Sequence, residues 1–150
     1  MLFRSDVTVQ AQILRLLLDL RDASGLAIIL VTHDLGVVAQ TCESVVVMYA
    51  GRVVERALTP DLFKKMHMPY TEALLAAIPK IDAAPHTRLP AISGRPPDPT
   101  RPIKGCSFSP RCRYAAGLCH QEKPRLTVAE SPDHQFACFH PILAPAEVGA

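Results

Sequence analysis

Long apolar runs are missing from this chain. The longest, around residues 26–31 and 45–50, fall far short of the roughly 20 residues that span a bilayer, so no membrane-spanning helix is expected. The start, MLFRSD, lacks the charged-then-apolar pattern of a signal peptide, and a cytoplasmic chain is the expectation. Blocks of one charge are missing too. Sixteen Lys and Arg stand against fourteen Asp and Glu, with no basic run for nucleic acid and no acidic tail. Glycine is scarce. None of the seven is placed to make a G-x-x-x-x-G-K-[ST] loop, which excludes a self-contained phosphate cradle of that kind. No internal repeat is present.

What remains is enough for one domain that buries roughly two-thirds of its unfolded surface. Asp6 is the expected N-cap of a helix running to about Ser24. Val9, Ile13, Leu16, Leu17 and Leu20 form its apolar stripe, and Gly25 suits a left-handed stop. Ala27 to Val31 has the length and β-branched richness of a buried strand. A helix followed by such a strand is half of a parallel α/β unit. The run ends at Thr32-His33-Asp34, where open α/β sheets place their ligands. The plainer alternative is a partly buried histidine bonded to a neighbouring carboxylate or carbonyl. Leu35 to Thr41 then reads as a short helix capped by Asp34, and Ser44–Tyr49 and Arg52–Arg56 as strands turning at Ala50-Gly51.

Thr59 and Pro60 predict a further helix start, with Thr59 as cap and Leu62, Phe63 and Met66 on the apolar side. A second helix is expected from Pro69 through Ile78, ended by Pro79. His67, between them, has no evident partner and is expected to be solvated. Eight of the fourteen prolines fall between Pro79 and Pro110, which predicts an extended linker over 80–104.

Cys106, Cys112, Cys119 and Cys138 follow a C-x5-C-x6-C-x18-C spacing. Four thiolates can close a tetrahedral zinc site or hold an iron–sulfur cluster, and this spacing does not choose between them. Packing as small apolar residues is the alternative. Lys104, Arg111 and Arg113 are expected to favour the thiolates, Pro110 and Gly117 to turn the loops, and Phe108, Tyr114 and Phe136 to shield the centre. His120, His134 and His140 are spare candidate ligands. Cys42 lies apart and has no assigned role.

DVTVQAQIL, VTHDLGVVA with VVVMYAGRVVE, HMPYTEALLAAIP, SGRPP and the four-cysteine segment together resemble the ATP-binding subunit of oligopeptide/dipeptide ABC importers, from Asp6 to about Pro141. The resemblance implies an α/β fold, the C-terminal part of an ABC-type P-loop ATPase domain over 1–79. A Pro-rich linker (80–104), a small irregular Cys-rich extension (105–141) and a tail (142–150) follow. It implies that His33 is the γ-phosphate switch and that Asp6 is the D-loop aspartate facing a second ATPase subunit. It also implies that Cys106, Cys112, Cys119 and Cys138 hold a [4Fe–4S] cluster, with zinc as the alternative. ATP with Mg is the implied cofactor of a complete subunit, and membrane-spanning permease subunits are the implied partners at the inner face of the membrane.

MLFRS stands where the family carries its Walker B strand and glutamate, and the LSGGQ signature is also absent. The chain alone is therefore expected to be inactive as an ATPase. A stand-alone metal-binding module and a non-functional gene remnant are the alternative readings. A metal-dependent phosphohydrolase using His33 and Asp34 would need further histidines, and only His67 and His86 lie upstream of the extension.

Overall fold

The computed structural model describes residues 5–79, 90–98 and 100–142, with backbone alone for 5–8. Residues 1–4, the first part of the expected linker (80–89, including His86), residue 99 and nearly all of the tail lie outside them. The chain divides into two compact units after Thr41.

The first unit is helical. Helix α1 spans Ser5–Ser24, so Asp6 lies within its first turn rather than ahead of it. Gly25 takes a φ of +65°, and the N–H of Leu26 returns to the carbonyl of Arg21 (3.2 Å), the hydrogen bond of a glycine-terminated helix end. Residues 26–31 are not a strand, and among the described residues nothing pairs with them. A strand of parallel type needs a neighbour to satisfy its N–H and C=O groups. Ile29 and Val31 are 94% and 92% exposed, and the stripe Val9, Ile13, Leu16, Leu17 and Leu20 on α1 is exposed as well. Helix α2 spans Leu35–Thr41. Asp34 caps it as expected: Oδ1 accepts from the N–H groups of Gly36 (2.9 Å) and Val37 (3.2 Å).

Such uncovered apolar surface promotes association. At micromolar concentration the chain is expected to elute as oligomers on size exclusion. The double change Ile29→Glu, Val31→Lys should shift it toward monomer. A sharp wild-type monomer peak with cooperative unfolding would show that this surface drives nothing.

The second unit is built on a four-stranded antiparallel sheet of order β1-β2-β4-β3, which does not include residues 27–31. β1 (Ser44–Tyr49) and β2 (Arg52–Leu58) form a hairpin. Its turn has positive φ at both Ala50 (48°) and Gly51 (73°), the combination that matches strand twist in a two-residue turn. The register slips between Val47 and Met48, so that Val47 faces Glu55 and Met48 faces Val53. The extra residue on β2 is Val54, and Val54 and Glu55 are buried in succession. β3 (Thr127–Val128) and β4 (Gln135–Phe136) come from the cysteine-bearing region, and β4 pairs with the free edge of β2.

Helices α3 (Thr59–Lys65) and α4 (Pro69–Ala76) follow the hairpin. Thr59 does not cap α3. Its hydroxyl donates instead to the carbonyl of Cys42 (2.5 Å), and Leu58 holds the cap position without a side-chain bond. Leu62 and Met68 are buried in the core with Val47, Val54 and Ala57. Tyr49, Tyr70 and Phe108 meet there with ring centroids 4.6–5.3 Å apart, joining the sheet, α4 and the cysteine region. Residues 90–98 form neither helix nor strand. Ile92 packs on the core, and the Arg111 guanidinium donates to the carbonyls of Ser93 (2.9 Å) and Ile92 (3.0 Å) and to the Tyr49 hydroxyl (3.2 Å).

Candidate functional site

Cys106, Cys112, Cys119 and Cys138 line one small apolar pocket of about 10 Å³, beside Met68, Pro69, Phe108 and Tyr114. Local turns bring the first three together. The N–H of Cys106 donates to the carbonyl of Cys119 (2.8 Å), and Ser109 N–H to that of Cys106 (3.0 Å). Pro110 lies in a 3-10 turn, Ser109–Arg111, and Gly117 opens the short helix α5, Gly117–Gln121. Gly105 lets these strings meet. A Cβ there would lie 2.3 Å from the Cys119 carbonyl oxygen and 2.6 Å from the His120 carbonyl carbon, both backbone atoms that cannot swing away. Gly105→Ala is therefore expected to cost about 1–3 kcal/mol in urea unfolding. A midpoint equal to wild type would show that the two segments part freely.

The four are free thiols. Burial pushes the thiols of Cys106 and Cys112 up, and that of Cys138 up to about 11, with neighbouring cysteines adding to the effect. Peptide N–H groups oppose the rise: those of Phe108 and Ser109 at Cys106, of Tyr114 at Cys112 and of His140 at Cys138. The expected help from basic side chains is not found. Arg111 is spent on two carbonyls and the Tyr49 hydroxyl, and Arg113 pairs with Glu72 at 2.7 Å. Lys104 is exposed.

Phe108 and Tyr114 do border the pocket. Phe136 instead lies 4.8 Å from the His67 ring. Among the described residues no three or more His, Cys, Asp or Glu are arranged to hold a metal ion as they stand. What the structure brings together is four sulfurs, soft donors, on one apolar pocket, with peptide N–H groups directed at three of them.

A second polar cluster escaped the sequence reading. Glu55 is fully buried. Its carboxylate accepts from the N–H groups of His67 (2.6 Å) and Met68 (3.3 Å), and His134 Nε2 lies 2.9 Å from Oε1. His67 is buried, not solvated. Its Nδ1 lies 3.1 Å from the Ile142 carbonyl and its Nε2 3.3 Å from Glu130, and its ring meets that of His134 at a tilt, with centroids 4.7 Å apart. His134 is thus engaged away from the thiols. Of the other spare histidines, His120 is exposed, and His140 meets Cys138 through its backbone N–H (3.4 Å). One signal for Glu55 was available: it lies two residues from Ala57, on the inward side of the strand period.

His33 sits on an exposed bend between the extended run and α2. Among the described residues its ring makes no hydrogen bond or ion pair, so the partly buried, bonded histidine is not what forms. Asp34 Oδ1 is occupied by the cap of α2, and no His33–Asp34 pair is made. Asp6 lies in the first turn of α1.

Residues 54–119 match the family model for the oligopeptide/dipeptide transporter, C-terminal region. Over 89% of its length the chain is 49% identical to a probable peptide ABC transporter ATP-binding protein of Sinorhizobium fredii, of which it covers 40%. Over 91% of its length it is 46% identical to the oligopeptide transport ATP-binding protein OppD of Salmonella typhimurium, again covering 40%. The dipeptide transport ATP-binding protein DppF of Haemophilus influenzae is 39% identical over 90% of the chain.

The chain is homologous to the ATP-binding proteins of peptide ABC transporters.

It spans about two-fifths of the length of these relatives. The family match runs from β2 through Cys119 and so contains Glu55, His67 and three of the four pocket cysteines. Among the described residues no helix is long and apolar enough to cross a membrane.

Proposed function

We propose that this chain supplies the C-terminal part of an ATP-binding subunit of a peptide importer. The observation that carries this reading is 49% identity over 89% of the chain to a peptide transporter ATP-binding protein. In the complete protein ATP binds with Mg, and His33 is the residue that contacts the γ-phosphate. Its ring, on an exposed bend and without a hydrogen bond among the described residues, is available for that contact. Asp6 faces a second ATPase subunit, and permease subunits hold the assembly at the inner face of the membrane, where closure of the ATPase pair drives peptide uptake.

Cys106, Cys112, Cys119 and Cys138 hold the metal centre, a [4Fe–4S] cluster, with zinc as the alternative. Bound there, either group would cross-link the extension 105–141 through four sulfur bonds. What the chain itself does is exclude water with Phe108, Met68 and Pro69 and direct peptide N–H groups at the sulfurs. The Pro-rich linker joins this extension to the ATPase part. A stand-alone metal module is the second reading, favoured by one observation: the pocket lies wholly within the unit that follows Thr41.

The chain lacks the phosphate-cradling loop on which phosphoryl transfer depends. By itself it is therefore expected to show no ATPase activity above background and no thermal shift with millimolar ATP. Turnover that disappears on His33→Ala would overturn this reading of the chain as a part.

A further inference from the structure

We propose that Glu55 and His134 are positioning residues that latch Cys138 against the other three cysteines. The inference rests on reading the pocket as a metal site, and its test does not. Cys106, Cys112 and Cys119 are held by turns within 105–122: the Cys106 N–H donates to the Cys119 carbonyl, and Ser109 links Cys106 to Cys112 through backbone bonds on both sides. Cys138 arrives from elsewhere, on the chain leaving β4.

Two fasteners bracket it, four residues away on either side. Ahead of it, His134 reaches Glu55 at 2.9 Å. Behind it, the N–H of Ile142 donates to the His67 carbonyl (2.9 Å), and the Ile142 carbonyl lies 3.1 Å from His67 Nδ1. Both fasteners run to the same place, because Glu55 also holds the N–H groups of His67 and Met68.

Met68 and Pro69 line the cysteine pocket at the start of α4. One enclosed carboxylate therefore ties β2, the entry to α4 and the β3–β4 hairpin together. The backbone adds one bond in the same direction, from Ala137 N–H to the Val54 carbonyl (2.8 Å). A buried carboxylate with three donors is costly to open, because each donor left unpaired keeps its desolvation penalty. That makes the latch a switch-like contact rather than a sliding one, and its load falls on Cys138 alone.

The test is alkylation of each cysteine in the metal-free full chain by N-ethylmaleimide, read by peptide mass spectrometry. His134→Phe keeps an aromatic ring but donates nothing. It is expected to speed labelling of Cys138 about tenfold, with Cys106, Cys112 and Cys119 within about twofold of wild type. His134→Gln restores a donor and should return Cys138 to within about twofold. Glu55→Gln keeps the shape and one acceptor, and should give a smaller rise, again confined to Cys138. A rise shared by all four cysteines, no rise at any, or no rescue by His134→Gln would overturn the latch. Selective labelling in a chain that takes up no metal would overturn the metal reading and leave the latch standing.

Discussion

Glu55→Ala is expected to be the most destabilising single change in the second unit, at about 3–5 kcal/mol. The carboxylate is fully enclosed and meets two backbone N–H groups and His134 Nε2. Alanine strands all three donors and leaves a hole between β2, α4 and the β3–β4 hairpin. The control is Glu130→Ala. That side chain also pairs with a buried histidine, at 3.3 Å, but is itself 75% exposed. Water screens it and replaces it, so its loss should barely move the midpoint. Urea unfolding followed by circular dichroism compares the two. Equal midpoints for both variants would mean that the Glu55 cluster contributes no more than a surface pair.

The second large effect falls on metal content. Single Cys→Ser changes at Cys106, Cys112, Cys119 and Cys138 should each lower the bound metal, while Cys42→Ser should not. Reconstitution without oxygen should give brown protein with visible absorbance if the centre is a cluster, and colourless protein with about one zinc per chain otherwise. Burial holds the thiols of Cys106, Cys112 and Cys138 above the ordinary range, so these three carry their protons at neutral pH. Metal must displace those protons, so apparent affinity should rise with pH toward the thiol range. Failure of the wild-type chain to hold stoichiometric metal under both preparations would make the cysteines packing residues.

Elements governed by neighbours in sequence were readable. Asp34 and the helix it caps, β1, and the Ala50-Gly51 turn are set within a few residues, and they form where expected. The run at 27–31 was misread for the opposite reason. Its β-branched composition is that of a strand, but a strand exists only with a partner, and the described residues provide none. Thr59 has the chemistry of a cap, yet a distant carbonyl at Cys42 claims its hydroxyl.

His67 was read as solvated because its partners stand far away in sequence, at Glu55, Glu130 and Ile142. The four cysteines stood out by their number within a short segment, and they line one pocket. Their electrostatics were not legible, since the nearby arginines are consumed by carbonyls, Tyr49 and Glu72. β3 and β4, two residues each, are too short to show a period.

The most direct test of the transport assignment is transplantation. This chain would replace the region of the Salmonella typhimurium OppD protein that it matches, 40% of that protein at 46% identity. Uptake of a labelled oligopeptide is then measured in cells lacking the native protein. The chimera should sustain uptake, and His33→Ala within it should abolish uptake without lowering its abundance. A chimera that is abundant and membrane-associated yet carries no peptide, or one whose uptake is indifferent to His33→Ala, would contradict the assignment.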